Sequence, residues 1–185
     1  MLADLIRQTR VLSSDGDLAV PVSGISADSR DVASGDIFVV RAGQHLDGRA
    51  FIGEAVEAGA VAIVSEPPAP PDLTVPTVLV PDARIALAEL ASALYDHPSR
   101  RIGLVGVTGT DGKTTTTHLV AAILNAAGLC AGLISTVAMA VGETTERNRT
   151  AHTTPPAPII QRQLARMRDK GSQVAVLEVS SHALV

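Results

Sequence analysis

Ile102-Gly-Leu-Val-Gly-Val-Thr-Gly-Thr-Asp-Gly-Lys-Thr-Thr-Thr-Thr117 is the stretch from which the rest of the chain is read. Ile102 to Val107 is a compact apolar run of strand length. Gly109 to Gly112 is a turn, and a helix is expected from Lys113 to about Ala127, stopping at Gly128. Strand, glycine turn and helix start form the setting of a phosphate-binding loop. The glycines let backbone N–H groups turn inward, and the helix N-terminus adds partial positive charge. Lys113 can reach β- and γ-phosphates, and the Thr114 hydroxyl can hold Mg²⁺. The generic pattern wants glycine six positions before the lysine. Val107 stands there and Gly106 lies one residue early, so a glycine-rich turn with a surface lysine stays open.

Downstream, strands are expected near Leu133 to Met139 and at Val174 to Val179. A helix from about Ala157 to Lys170 separates them, after Pro155-Pro156. This is the order of an open parallel sheet, with about three strands. Glu178 falls at the end of the second of these strands. A carboxylate at the C-terminal edge of a buried parallel strand, beside a phosphate loop, suits Mg²⁺ or a metal-bound water. A merely solvated strand-end carboxylate is the plainer alternative, and a structural role is expected for the lone His182. A last strand with no neighbour on one side would be an aggregation hazard. Ending at Val185, the half-sheet reads as the N-terminal piece of a longer protein.

Upstream, residues 1–97 read as a small α/β unit. Ile37 to Val40 and Ala60 to Val64 are expected buried strands, with a helix over Arg49 to Ala58 that Gly59 stops. Pro67, Pro68, Pro70 and Pro71 mark a stiff surface connection. Thr77 to Val80 is a further strand. Asp82 is placed to cap a helix running to about Tyr95, with Ile85, Leu87, Leu90 and Leu94 as its buried side. Asp96-His-Pro-Ser99 breaks the pattern, so the domain boundary is set between residues 97 and 98.

Composition narrows the function classes. The 185 residues carry a net charge of −4, with 46 % hydrophobic, 18 % charged and 2 % aromatic residues and no tryptophan. Mild acidity and the lack of aromatic platforms argue against nucleic-acid binding. The single cysteine, Cys130, excludes a disulfide framework and a cysteine-based zinc site, and is expected to be a small buried residue. Asp4, Arg7 and Arg10 interrupt the first twelve residues, so no signal peptide is evident. No run approaches the ~18 apolar residues of a membrane span. The expectation is a cytoplasmic protein without membrane insertion.

With the motifs in view, a resemblance becomes specific. Gly106-Val-Thr-Gly-Thr-Asp-Gly-Lys-Thr-Thr115 resembles the ATP loop of the Mur ligases, whose pattern Gly-Thr-x-Gly-Lys-Thr accommodates the early glycine. Leu177-Glu-Val-Ser-Ser-His-Ala-Leu184 is similar to the Glu-Val-Ser-Ser-His signature of the family's tripeptide-synthetase branch. His152-Thr-Thr-Pro155 resembles a substrate segment of that branch. Asp28-Ser-Arg30, Gly35-Asp-Ile-Phe-Val39 and Gly43-Gln-His-Leu-Asp-Gly48 resemble the domain that holds the uridine nucleotide.

The resemblance implies a small N-terminal α/β uridine-nucleotide-binding domain (1–97), followed by the first part of a P-loop parallel-sheet ATPase domain (98–185). It also implies ATP-dependent ligation of meso-diaminopimelate or L-lysine to UDP-MurNAc-L-Ala-D-Glu through an acyl phosphate, by a monomer with only small-molecule partners. Gly109, Thr110, Asp111, Gly112, Lys113, Thr114 and Thr115 would bind ATP. Lys113 and Glu178 would be catalytic, and Thr114 and Glu178 would hold Mg²⁺. Ala27, Ser29, Gln44, His45 and Leu46 match uridine-nucleotide segments, and His152, Thr153, Thr154 and Ser180 match muramoyl-dipeptide segments. Plainer roles stay open: Ser29 as a turn residue, Thr153 and Thr154 as helix caps, His45 and His152 as surface histidines. Asp111 stands where the family has Asn, and a carboxylate there is repelled by phosphate unless it points away or pairs. Family parts beyond residue 185, a carbamylated lysine and the domain that selects the amino acid among them, would leave this polypeptide alone inactive. Another Mur-type or folylpolyglutamate ligase, a P-loop switch, or a non-catalytic nucleotide-sugar module are the competing readings. The lack of an Asp-x-x-Gly segment after Thr115 counts against the switch.

Overall fold

A computed structural model describes residues 1–41, 47–71, 73–142, 144–150 and 152–181. The chain divides into two units, Met1–Leu94 and Tyr95–Val185, each with its own sheet.

The first unit runs α1 (Leu2–Ile6), β1 (Ser13–Asp15), β2 (Gly24–Ser26), β3 (Asp36–Val39), α2 (Ile52–Glu57), β4 (Ala62–Ser65), β5 (Thr77–Leu79) and α3 (Ala83–Leu94). Its sheet has the order β1-β5-β4-β3-β2, parallel except for β1. The period of two along a strand sorts the apolar residues onto opposite faces. Ile37 and Val39 join Leu87, Leu90 and Ala91 of α3, whereas Phe38 and Val40 join Ile52 and Ala55 of α2. Asp82 caps α3 as expected, its Oδ1 accepting the N–H groups of Arg84 (2.8 Å) and Ile85 (2.9 Å). Gly59 ends the α2 turn in the left-handed region (φ 104°), where a side chain would be strained.

Several expectations for this unit need correction. Ile85 is 56 % exposed, and alanines at 83, 86 and 91 complete the buried side of α3 instead. At 100° per residue Ile85 lies on the far side of the helix from Leu87, Leu90 and Leu94, so the helical period itself places it outside. The helix expected over 49–58 begins as a 3₁₀ turn, Gly48–Phe51, capped by Asp47. Elements α1, β1 and β2 are short and lack a clear period, which hides them from pattern reading.

The second unit runs β6 (Gly103–Val107), α4 (Lys113–Ala126), β7 (Ala131–Ile134), β8 (Ala138–Val141), β9 (Thr144–Arg147), α5 (Ala157–Asp169) and β10 (Val174–Glu178). The sheet order is β6-β10-β7-β8-β9. Strands β6, β10 and β7 are parallel, and β8 and β9 add an antiparallel arm. So five strands stand where about three parallel ones were expected. The strand expected over 133–139 is two strands. The Ser135 hydroxyl bonds both the N–H (3.1 Å) and C=O (3.0 Å) of Ala138, and this closes a reversal at residues 135–137. Strand β10 is paired on both sides, so the expected unpaired neighbour is also corrected; the edge strands are β6, where Leu104 is 47 % exposed, and β9.

Two apolar clusters flank this sheet. Ala175 and Leu177 pack toward α5 with Ile134, Leu164 and Met167, whereas Val174 and Val176 pack toward α4 with Leu133 and Ala121. Glu178 continues the second row, so the alternation alone delivers its carboxylate to the α4 side. Cys130 is half-buried, 3.8 Å from the Ser172 hydroxyl, and not fully buried as expected. Among the described residues no helix is long and apolar enough to cross a membrane.

Candidate active site at the carboxyl edge of the second sheet

The parallel register sets the site. Glu178, last in β10, lies opposite Val107, last in β6, and the glycine turn begins two residues later. Thr136 lies two residues past the end of β7. Three chain segments therefore converge at one carboxyl edge, the usual place for ligands on an open parallel sheet.

The loop residues take up the conformations the turn needs. Gly109 (φ 153°) and Gly112 (φ 74°) have backbone angles that L side chains rarely adopt. Gly112 is the N-cap of α4 and supplies no side-chain cap, so the first-turn amides of this 14-residue helix stay available to an anion. α3 contrasts, with Asp82 on its first amides. The Lys113 ammonium folds back on its own loop, donating to the carbonyls of Gly109 (2.8 Å) and Thr110 (2.9 Å). Thr110, Asp111 and Thr115 are exposed.

Thr114, Thr117 and Ala121 form the inner stripe of α4 at i, i+3 and i+7. Thr117 is fully buried and its hydroxyl donates to the Lys113 carbonyl at 2.7 Å. Thr114, one turn nearer the loop, donates to Glu178 Oε1 at 2.9 Å. Glu178 is 2 % exposed. Its Oε2 accepts from the Thr136 N–H (2.9 Å) and hydroxyl (3.0 Å). Among the described residues every hydrogen-bond partner of this carboxylate is neutral, and no ion pair reaches it. A buried carboxylate without a counter-charge is costly, and a cation offsets that cost.

These groups fit a magnesium ion. Two neighbouring oxygen ligands on an octahedral Mg²⁺ lie about 3 Å apart at metal–oxygen distances of ~2.1 Å. Thr114 Oγ1 and Glu178 Oε1 stand 2.9 Å apart. No group of three or more His, Cys, Asp or Glu side chains that could hold a metal ion occurs among the described residues. Mg²⁺ is commonly held by one or two protein oxygens plus phosphates and water.

The expected dipeptide segment meets the same edge. The Thr154 hydroxyl donates to the Glu178 carbonyl (3.2 Å), accepts the Ser180 N–H (2.8 Å) and lies 3.4 Å from the Ser180 hydroxyl. The cap of α5 is Pro156, with no side-chain cap bond, so Thr153 and Thr154 are not its caps. His152 is exposed, and its carbonyl accepts from Asn148 Nδ2 at 3.1 Å. Asn148 also donates to the Ser135 carbonyl (2.9 Å), and its Oδ1 accepts the N–H (2.9 Å) and hydroxyl (2.8 Å) of Thr150. It ties Thr150 and His152 to the 135–137 reversal. Sequence reading missed Thr136 and Asn148. The hydroxyl pair Ser135-Thr136, directly after an apolar run, was the available signal for the first; Asn148 had none.

In the first unit, Ser29 opens a 3₁₀ turn that Asp28 caps, and its buried hydroxyl donates to Glu54 Oε2 at 2.8 Å. Asp28 also pairs with the Arg30 guanidinium, which holds its carboxyl below the usual value and raises the arginine. Ala27 packs its methyl against the α3-side core, so it has only backbone groups to offer a ligand. Gln44, His45, Leu46 and His182 lie outside the described residues.

Known proteins resemble the chain along both units. The model of the Mur ligase middle domain matches residues 107–185, and that of the Mur ligase family catalytic domain matches residues 21–95. A UDP-N-acetylmuramyl-tripeptide synthetase of Roseiflexus sp. is 48 % identical over 164 residues, which is 88 % of this chain and 32 % of the relative. A UDP-N-acetylmuramoyl-L-alanyl-D-glutamate--2,6-diaminopimelate ligase of Chlorobium phaeobacteroides is 48 % identical over 188 residues, 100 % of this chain and 36 % of its own length. The chain thus spans about a third of these relatives. A solved diaminopimelate ligase of the same description superposes with a TM-score of 0.71 at 30 % identity, covering 89 % of this chain and 33 % of that one. The MurF ligase of Thermotoga maritima in complex with ADP superposes at 0.54 and 28 % identity, covering 90 % and 34 %. By its two domain matches, its near relatives and its fold, the chain belongs to the Mur ligase family.

Proposed function

We propose that these residues form the nucleotide and acceptor sites of a ligase that joins an amino acid to the D-Glu carboxylate of UDP-MurNAc-L-Ala-D-Glu at the expense of ATP. The single observation that carries this is the carboxyl edge of β10. There one short segment, Glu178 to Ser180, meets the ATP loop through Thr114 and the dipeptide segment through Thr154. The names of the near relatives support the tripeptide-forming reaction over that of the MurF ligases.

The loop amides and Lys113 would take the ATP phosphates, with the ammonium exchanging its two loop carbonyls for phosphoryl oxygens. Thr114 and Glu178 would hold Mg²⁺, which when bound neutralises charge on the phosphoryl oxygens. Exposed Asp111 can turn away from the phosphates. Thr154 and Ser180 would fix the dipeptide, with His152 and Thr153 beside them. The D-Glu carboxylate would then sit near the γ-phosphate, and holding two reactants in line is the main catalytic contribution open to a phosphoryl-transfer site. A carboxylate oxygen attacks phosphorus and ADP leaves; the incoming amine attacks the acyl carbon and phosphate leaves with that oxygen. Ala27 and Ser29, with Gln44, His45 and Leu46, would serve the uridine nucleotide.

Because the chain spans a third of its relatives, the 185 residues alone are expected not to turn over. The whole-length protein is the one to assay, with ATP, UDP-MurNAc-L-Ala-D-Glu carrying ¹⁸O in the D-Glu side-chain carboxylate, and diaminopimelate or lysine. The proposal expects amide product and ¹⁸O in the released phosphate. Product without ¹⁸O transfer would remove the acyl phosphate, and no product with either amino acid would remove the ligase reading.

A further inference from the structure

We propose that Thr136 is a positioning residue for the metal-binding carboxylate, fixing which oxygen of Glu178 faces the ATP loop. The inference rests on the metal reading of Thr114 and Glu178 given above. Both hydrogen-bond donors of Thr136, its N–H at 2.9 Å and its hydroxyl at 3.0 Å, go to Glu178 Oε2. Only Oε1 is left to the Thr114 side, at 2.9 Å. A buried carboxylate tied at one oxygen cannot swing or present both oxygens, so it meets a metal with one defined atom. Outer groups that orient a metal ligand are worth roughly 10–100-fold in affinity where they have been removed.

A purely structural role for the hydroxyl fits less well. The reversal that carries Thr136 is already closed without it. The Ser135 hydroxyl bonds both backbone groups of Ala138, Asn148 Nδ2 donates to the Ser135 carbonyl, the Asn148 N–H donates to the Val137 carbonyl at 3.1 Å, and His118 Nε2 lies 3.0 Å from the Ser135 hydroxyl. Thr136 itself is exposed, so its side chain contributes little to the core. Five hydrogen bonds, made by Ser135, Asn148 and His118, hold the reversal, and they leave the Thr136 hydroxyl free to serve the carboxylate.

The test uses the whole-length protein, ADP and Mn²⁺, with free Mn²⁺ read by its paramagnetic resonance and ADP affinity read by calorimetry. Thr136→Val removes the hydroxyl at constant shape and keeps the N–H; Thr136→Ser restores the hydroxyl; Thr136→Ala is the second loss variant. The expected result is Mn²⁺ affinity down about tenfold in the Val and Ala variants, recovery in Ser, and metal-free ADP affinity unchanged in all three. Val and Ala variants that bind Mn²⁺ as the parent does, while Glu178→Gln loses it, would overturn the role of Thr136 and leave the metal reading standing. A parent chain whose Mn²⁺ binding is unmoved by Glu178→Gln would overturn the metal reading, and this inference with it.

Discussion

Replacing Glu178 by Gln separates what this carboxylate does for the fold from what it does for a metal. The side chain is 2 % exposed and accepts three hydrogen bonds, from Thr114, Thr136 N–H and Thr136 hydroxyl. In the Gln variant the carbonyl oxygen can keep both Thr136 donors. The amide then faces Thr114, whose hydroxyl turns to accept. No bond is lost in number, only the charge that strengthened each. Charged hydrogen bonds contribute ~1.5–3 kcal/mol and neutral ones ~0.5–1.5, so three bonds lose about 3–5 kcal/mol together. Against this stands the cost of keeping a carboxylate dry with no cation beside it, itself several kcal/mol. The two nearly cancel, and the variant should unfold in urea within about 2 kcal/mol of the parent. Tyr95 is the chain's only tyrosine, there is no tryptophan, and it belongs to the second unit, so its fluorescence reports that unit's unfolding. Mg²⁺-dependent ADP affinity should be lost in the same variant. A Gln variant that fails to fold, or one that keeps the parent's Mg²⁺ dependence, would refute the reasoning.

Three further outcomes are expected. Lys113→Met should leave the urea midpoint nearly unmoved, because among the described residues the lysine bonds only to its own loop carbonyls, yet weaken ATP binding by at least ~10-fold in calorimetry. Gly132→Ala should destabilise the second unit by about 1–3 kcal/mol, because its Cβ would meet the sulfur of fully buried Met167 at 2.5 Å; the urea midpoint checks it. Asp28 carries a lowered folded-state value, set first by its hydrogen bond from Arg30, so its contribution is present above the unfolded carboxylate value and lost as pH falls through the folded one. Asp28→Asn should therefore flatten the acid side of the stability curve below about pH 4, with a change at pH 7 that does not grow further at higher pH; unfolding midpoints from pH 3 to 8 test this.

Much of the site could be read from the chain because local rules carry it. The glycines at 109 and 112 occupy positions that need their backbone freedom, and Val174-Ala-Val-Leu-Glu178 states by alternation that residues 174, 176 and 178 share a face. The reversal at 135–137 was hidden because its cause is a side chain. Ser135 folds back on Ala138, and the apolar run Leu133 to Met139 reads straight through it. Ile85 was misread because it stands two, five and nine residues from Leu87, Leu90 and Leu94, separations that put it on the opposite side of the helix. The alanines at 83, 86 and 91 flank the leucines on the buried side, where small size gave no apolar signal. The centrality of β10 was illegible for a related reason, since pairing between strands about 70 residues apart in sequence leaves no local trace.

The central claim is that this chain recognises a muramoyl dipeptide nucleotide, and equilibrium binding tests it most directly. UDP-MurNAc-L-Ala-D-Glu would be titrated into the 185-residue chain, with UDP-glucose as control and circular dichroism to establish that the chain is folded. The account predicts selective binding of the muramoyl dipeptide nucleotide. Equal binding of the two nucleotides, or no binding by the folded chain, would contradict it.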